Sequence, residues 1–150
     1  MSVYNGAVRS ITPSTTDDNW GLVGGAAKSC RVLAAHVSGE ATTSTAMHTR
    51  HARSSGQNGN TTTGNVEKAH PNSPANGVIF ETTFATTQPT LESGDLLTFS
   101  WNAHGGIMYW HAGAPDEEWV LIGAATNLNI SSRNTVGTAT SSYGVTWRED

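Results

Sequence analysis

The sequence predicts an all-β chain: an antiparallel β-sandwich, jelly-roll-like, of about eight short strands in a single domain over residues 1–150. Three observations carry this. Charged residues are only 13% of the chain while Thr, Ser and 16 glycines are spread along it; Gly, Thr and Ser are weak helix formers, and Thr favours strands. Short segments alternate with a period of two, the mark of a half-buried strand. Three of the five tryptophans fall between Leu91 and Gly123. Each such ring buries roughly 150–250 Å², so this stretch is the expected centre of the core. A chain of this length buries about 68–70% of the surface its unfolded form exposes, enough for a core without staples.

The elements follow in order. Val3 to Ile11 alternates weakly around Tyr4, Gly6 and Val8 and reads as an edge strand, with residues 1–12 as a possible ordered arm. Pro13 to Asp18 is a polar turn, and Asn19 to Gly25 a short strand ended by two glycines. Ser29 to Ser38 alternates clearly, with Arg31, Leu33, Ala35 and Val37 on one side and Cys30, Val32, Ala34 and His36 on the other. Glu40 to Ser55 is polar and β-prone; as a strand with two polar faces it would specify its register weakly. Residues 56–64 lack any apolar anchor and read as an exposed loop. His70 to Gly77 holds two prolines and is an irregular turn. Val78 to Thr86 alternates again.

In the tryptophan-rich stretch, Ser93-Gly94-Asp95 reads as a turn. Leu97, Phe99 and Trp101 then share one face of a strand. Asn102 to Gly106 supplies the residues a hairpin loop needs. Ile107 to His111 returns with Ile107 and Tyr109 on one face, Met108 and Trp110 on the other. A loop at Gly113 to Asp116 leads into Trp119 to Ile122. Leu128 to Ser132 and Val136 to Trp147 are the last strands, with Arg148-Glu149-Asp150 expected in solvent.

Composition narrows the partners. A net charge of −4 argues against nucleic acid, because a duplex binder concentrates positive charge on one face. No apolar run approaches the roughly 20 residues that span a bilayer, so no membrane partner is expected. Met1 to Ser10 has neither the basic start nor the apolar run of a secretion signal, which predicts synthesis in a cytoplasm. Cys30 is alone and cannot form an internal disulfide.

The chemistry-bearing clusters are sparse. His48 and His51 are the closest histidine pair, but positions three apart on a strand face opposite ways and cannot readily share a metal. His104 and His111 flank the expected hairpin and could approach across it. Neither pair has a cysteine or carboxylate at ligand spacing, and no metal or other cofactor is expected. Asp116-Glu117-Glu118 lacks the second, facing set of carboxylates that glycoside hydrolysis needs and reads as a solubilising loop. No G-x-S-x-G elbow, P-loop or H-E-x-x-H occurs, so the chain is not expected to be an enzyme. Met47 to Arg53 carries Arg50, Arg53 and two histidines with no acid between Glu40 and Glu67; that basic island could meet an acidic partner. Trp110 could line a sugar platform, although its alternating context favours the core.

GEATTSTAMHTRHARSS, HPNSPANGVIFETTFATTQPT and SGDLLTFSWNAHGG, within a Thr- and Ser-rich β pattern, resemble the small virion proteins of tailed bacteriophages, and among them the capsid decoration or cement proteins. The likeness runs from about Ala34 onward as a style of sequence and carries over no site residue. It implies a β-sandwich or jelly roll, commonly a homotrimer, seated on the outer capsid surface where copies of the major capsid protein meet. The expected contacts are the N-terminal strand, with Val3 and Tyr4, and the Glu40 to Ser55 strand, with Met47, Arg50 and Arg53. The competing expectation is a carbohydrate- or receptor-binding sandwich of a phage tail fibre that uses an exposed Trp or Tyr.

Overall fold

A computed structural model describes residues 1–24, 29–55, 61–84, 88–122 and 129–150. These form β1 (Ser2–Ile11), β2 (Asp18–Val23), β3 (Ser29–Gly39), β4 (Ala46–Ser55), β5 (Thr61–Thr63), β6 (Val66–Lys68), β7 (Ile79–Phe84), β8 (Thr90–Asn102), β9 (Ile107–His111), β10 (Trp119–Ile122), β11 (Asn129–Val136) and β12 (Ser141–Glu149). All pairings are antiparallel. The first sheet runs β10-β3-β12-β1-β6, with β9 also paired to β3, and the second runs β5-β7-β2-β11-β4-β8.

Two features reduce twelve strands to a jelly roll. β10 pairs with Ser29 to Val32 and β9 with Ala34 to Ser38, so the two lie end to end along one side of β3 as a single interrupted strand. β5, β6 and β7 lie between β4 and β8 in the chain and extend the β1 and β2 edges. What remains is β1-β12-β3-β9/β10 in one sheet and β2-β11-β4-β8 in the other. Successive strands alternate between two packed sheets except β4 and β8, which are neighbours in the second, as in the eight-stranded jelly roll the sequence predicts.

The inner faces meet on Tyr4, Trp20, Leu22, Val32, Val37, Phe80, Leu121, Ile130, Tyr143, Val145 and Trp147, all 0–1% exposed. Tyr4 stacks on Trp147 at 5.9 Å, and Trp147 on Phe80 at 6.2 Å. The second sheet lines this core with polar side chains, several of which bond one another through Asn134. Asn134 Oδ1 accepts from Asn19 Nδ2 at 3.0 Å, Thr49 Oγ1 at 2.9 Å and Tyr143 OH at 3.1 Å. Trp101 Nε1 donates to Thr49 Oγ1 at 3.1 Å. Thr and Ser in these strands therefore serve the interior as well as the surface.

Several expectations are corrected. β1 is not a plain edge or a free arm: β12 pairs along it, and β6 covers its outer side from Tyr4 to Gly6. The Glu40 to Ser55 segment yields a central strand between β11 and β8, with Met47, Thr49, His51 and Ser54 turned inward. Ser93-Gly94-Asp95 is not a turn. It lies within the 13-residue β8, where the pairing with β4 slips twice. Asn102 to Gly106 closes no hairpin, because β8 belongs to the second sheet and β9 to the first. It is a corner: Asn102 Oδ1 accepts from His104 N at 2.8 Å, Gly106 N donates to Asn102 O at 2.9 Å, and Gly105 takes φ +72°.

β3 changes face midway. Its ladder with β12 passes from Val32 to Ala34 and leaves Leu33 as a bulge. Cys30 and Val32 enter the core before that point, Ala35 and Val37 after it. One extra residue inverts the parity of everything beyond it, which strict alternation cannot anticipate. Of the loop expected at 56–64, residues 56–60 lie outside the described residues and 61–63 form β5. Gly25 and Leu128 also lie outside them.

The last correction concerns charge. Glu149 does not end in solvent. It is 3% exposed and takes the amides of Gly77 and Val78. Glu118, placed in a solubilising loop, has a side chain only 7% exposed, 2.9 Å from Arg148 Nη2 and 3.5 Å from Arg31 Nη1.

Candidate binding surfaces

The residues expected to make contacts are scattered by the fold. Tyr4 is fully buried and its hydroxyl donates to Pro74 O at 3.0 Å, pinning the 70–77 turn. Met47 is 2% exposed, in the core. Neither offers surface to a partner, because both occupy inward positions of their strands. Val3 is half-buried. Arg50 is paired with the Asp95 carboxylate and also donates to Glu92 O. Arg53 bridges the sheets by donating to Val120 O, and burial lowers its guanidinium below its ordinary pKa. Both arginines of the basic island are thus engaged within the molecule.

His51, its central member, is fully buried among Trp20, Phe99 and Trp119, with ring centroids 5.6, 5.3 and 5.6 Å away. Burial holds its pKa down to about 4 against the weaker pull of the Leu97 backbone and of Asp95. It is therefore a neutral core residue near pH 7. His48 lies on the opposite face, half-buried beside Thr135 Oγ1, as the three-residue spacing requires. His104 bonds to Ala41 O at 3.0 Å, while His111 stacks on Tyr109. Among the described residues, no three His, Cys, Asp or Glu side chains group to hold a metal.

Nucleophiles and bases are equally tied down. The Cys30 thiol is buried, and burial with the nearby Glu149 and Asp150 charges pushes its pKa up, which suppresses the reactive thiolate. Ser10, at φ +51°, donates to Glu40 Oε2 at 2.5 Å, and Ser142 donates to the other oxygen. These two hydroxyls hold the Glu40 carboxyl below its usual pKa. A carboxylate so stabilised is a weak base, and its evident work is to lock the irregular end of β1 to β12.

Two features of the surface are left uncommitted. The first is the edge strand β9. Its outward residues Ile107 and Tyr109 are 72% and 62% exposed, while Met108 and Trp110 pack towards the core. Trp110 is not a surface platform; it stacks on Trp119 at 4.3 Å and 10°. Among the described residues β3 is the only ladder partner of β9, so the far side of this strand keeps its backbone groups open. Charge and irregularity, known devices for guarding an edge, mark β8 and the part of β1 that β6 leaves uncovered. β8 carries Glu92 and Asp95 with two slips in register. β1 has the Ser10 irregularity and Arg9.

The second is a concavity of about 610 Å³ lined by Asn5, Ala7, Arg9, Asn65 and Glu67. Tyr4, Gly6 and Val8 point inward from β1, leaving Asn5, Ala7 and Arg9 on the outer face of the first sheet. Glu67 stands opposite Asn5 across the β1–β6 pairing. None of these seven exposed residues, Ile107 and Tyr109 included, is named individually as a contact by the sequence, although Asn5, Ala7 and Arg9 lie in the N-terminal strand expected to make contacts. The alternation of Ile107 and Tyr109 was legible, but apolar residues on both faces of β9 hide which face is solvent.

Comparison with known protein families, with curated proteins and with solved structures gave no match. The described residues contain no helix long and apolar enough to cross a membrane.

Proposed function

We propose that this protein is a structural virion component: a decoration or cement protein that binds the major capsid protein on the outer surface of a bacteriophage shell, as a homotrimer held by multivalent contacts. One observation carries the adhesive part of this reading. β9 presents Ile107 and Tyr109 beside an unpaired strand edge, whereas the β8 edge carries charge and slips in register. An unguarded apolar edge is an aggregation hazard unless a partner covers it. The phage setting rests on the resemblance of the chain from about Ala34 onward, since a jelly roll by itself hosts many unrelated functions. Closed symmetry would cover such an edge in every subunit. A trimer touching several shell subunits makes each later contact intramolecular, so modest interfaces add up to slow release.

The test is mass measurement in solution followed by co-sedimentation with shells assembled from the major capsid protein of the same phage. The expected result is a trimer that saturates the shells, with Ile107→Lys and Tyr109→Lys lowering occupancy. A monomer that stays in the supernatant would refute the reading.

A further inference from the structure

The concavity on the outer face of the first sheet is distinct from the β9 edge. Across β9, β3, β12 and β1 the two are separated by three inter-strand spacings, about 14 Å, so both can be engaged at once. Its polar groups are unusual in being unspent. Arg31, Arg133 and Arg148 are paired with carboxylates, Arg50 with Asp95, and Arg53 with a carbonyl. The side chains of Arg9, Glu67 and Asn65 make no hydrogen bond or ion pair among the described residues. Asn5 is half-committed: the Thr146 hydroxyl donates to its Oδ1 at 2.7 Å, which fixes the amide and leaves Nδ2 as a donor.

The chemistry of this set selects a ligand class. One guanidinium, one carboxylate and two amides are all planar groups with paired polar atoms, suited to bridging adjacent hydroxyls. The two charges cancel, so the site is neutral overall. Glu67 would repel a phosphate or sulfate, and Arg9 a metal or ammonium ion. Ala7 is the one apolar residue of the lining, too small to hold an aromatic or a lipid. The volume lies within the usual range of small-molecule sites, roughly 300–1,000 Å³.

We propose that this concavity is a saccharide-binding site in which Arg9, Glu67, Asn5 and Asn65 hydrogen-bond the vicinal hydroxyls of a neutral glycan. The ligand rests on Ala7, with Asn5 and Glu67 on one side and Arg9 on the other. This binding is independent of shell attachment, which the proposed function assigns to the β9 edge.

The test is an array of neutral, sialylated and sulfated glycans probed with the full chain, followed by calorimetric titration of the free oligosaccharides that score. Neutral glycans are expected to bind, and Arg9→Ala and Glu67→Gln should each weaken binding about tenfold or more, the usual loss for a hydrogen bond to a charged group. Both side chains are exposed, so the thermal midpoint should stay unchanged and show that the fold is intact. Failure of every neutral glycan to bind, or binding indifferent to both substitutions, would overturn the proposal. So would capture of sulfated or sialylated glycans alone with Glu67→Gln strengthening it, since that describes an anion site. Arg9→Ala is expected to leave shell occupancy and Ile107→Lys to leave glycan binding unchanged, so each reading can fail alone.

Discussion

Glu149 binds the amide of Gly77 with both carboxylate oxygens, at 2.9 and 2.7 Å, and through the same side chain ties the end of β12 to the turn before β7. Its Oε1 also accepts from Val78 N at 3.0 Å and from Trp147 Nε1 at 3.3 Å. A carboxylate almost without solvent thus replaces water for donors that the turn leaves unmatched.

Glu149→Ala should cost about 2–3 kcal/mol, because it orphans buried backbone donors rather than exchanging one bond for another. For a chain of this size that lowers the thermal midpoint by roughly 5–10 °C. Glu149→Gln keeps one oxygen but turns an amide group towards N–H donors, so an intermediate loss is expected. Calorimetric melting of the two variants checks the order.

Asp18 and His51 oppose each other in their response to acid. The Asp18 side chain is fully buried 2.6 Å from Arg133 Nε. Burial raises its pKa from 3.8 to about 6 despite the lowering by Ser131 and Arg133. The folded protein therefore takes up this proton before the unfolded chain does, and the contribution of Asp18 to stability is lost as pH rises through 6. His51 has the reverse sign. Its folded pKa of about 4 lies below the ordinary 6.5, so its contribution is complete above pH 6.5 and is lost as pH falls towards 4. Each displacement is worth about 3 kcal/mol, and over pH 4–6 the two largely cancel. Asp18→Asn should unmask the histidine, making the variant lose about 3 kcal/mol more than the parent between pH 6.5 and 4. His51→Phe should lose correspondingly less than the parent. Urea unfolding at the two pH values gives both differences, and parallel pH curves for parent and variants would contradict this linkage.

Asn134 is the hub of the buried polar layer. Asn134→Leu removes the acceptor shared by Asn19, Thr49 and Tyr143, and the loss should reach about 3 kcal/mol. Adding Tyr143→Phe to that background should recover part of it, because the ring no longer carries a hydroxyl that needs the missing oxygen. The four-protein cycle in urea measures the coupling; strict additivity would show that the layer does not act as a unit.

Fold class was legible because a period of two survives in a single sequence, but the centre of the core was not: β8, β9 and β10 of the tryptophan-rich stretch lie at sheet edges, and the fully buried tryptophans are Trp20 and Trp147. Nor were register and connection. Alternation identifies β8 and β9 as strands, but a hairpin and a corner between sheets both call for a left-handed residue such as Gly105, and only the partner strands tell them apart. Leu33 carries no mark of its bulge, so the inward face of β3 is right on one side of it and inverted on the other. Glu118 and Glu149 look like solvent-facing charges until distant donors, Arg31 in one case and Gly77 in the other, are brought to them. The candidate surfaces were hidden for the same reason. Arg9, Asn65 and Glu67 are ordinary polar residues whose side chains' lack of partners among the described residues is a property of the folded chain alone.

Ser2 pairs with Glu149, and β12 separates β1 from β3 throughout the first sheet. During vectorial synthesis β1 therefore has no long neighbour in its sheet until β12, Ser141–Glu149, has cleared the ribosome. Until then Tyr4 and Val8 have no Trp147 or Tyr143 to cover them. Completion of this sheet waits for β12, and a nascent chain stalled before Ser141 presents its inner surface to chaperones.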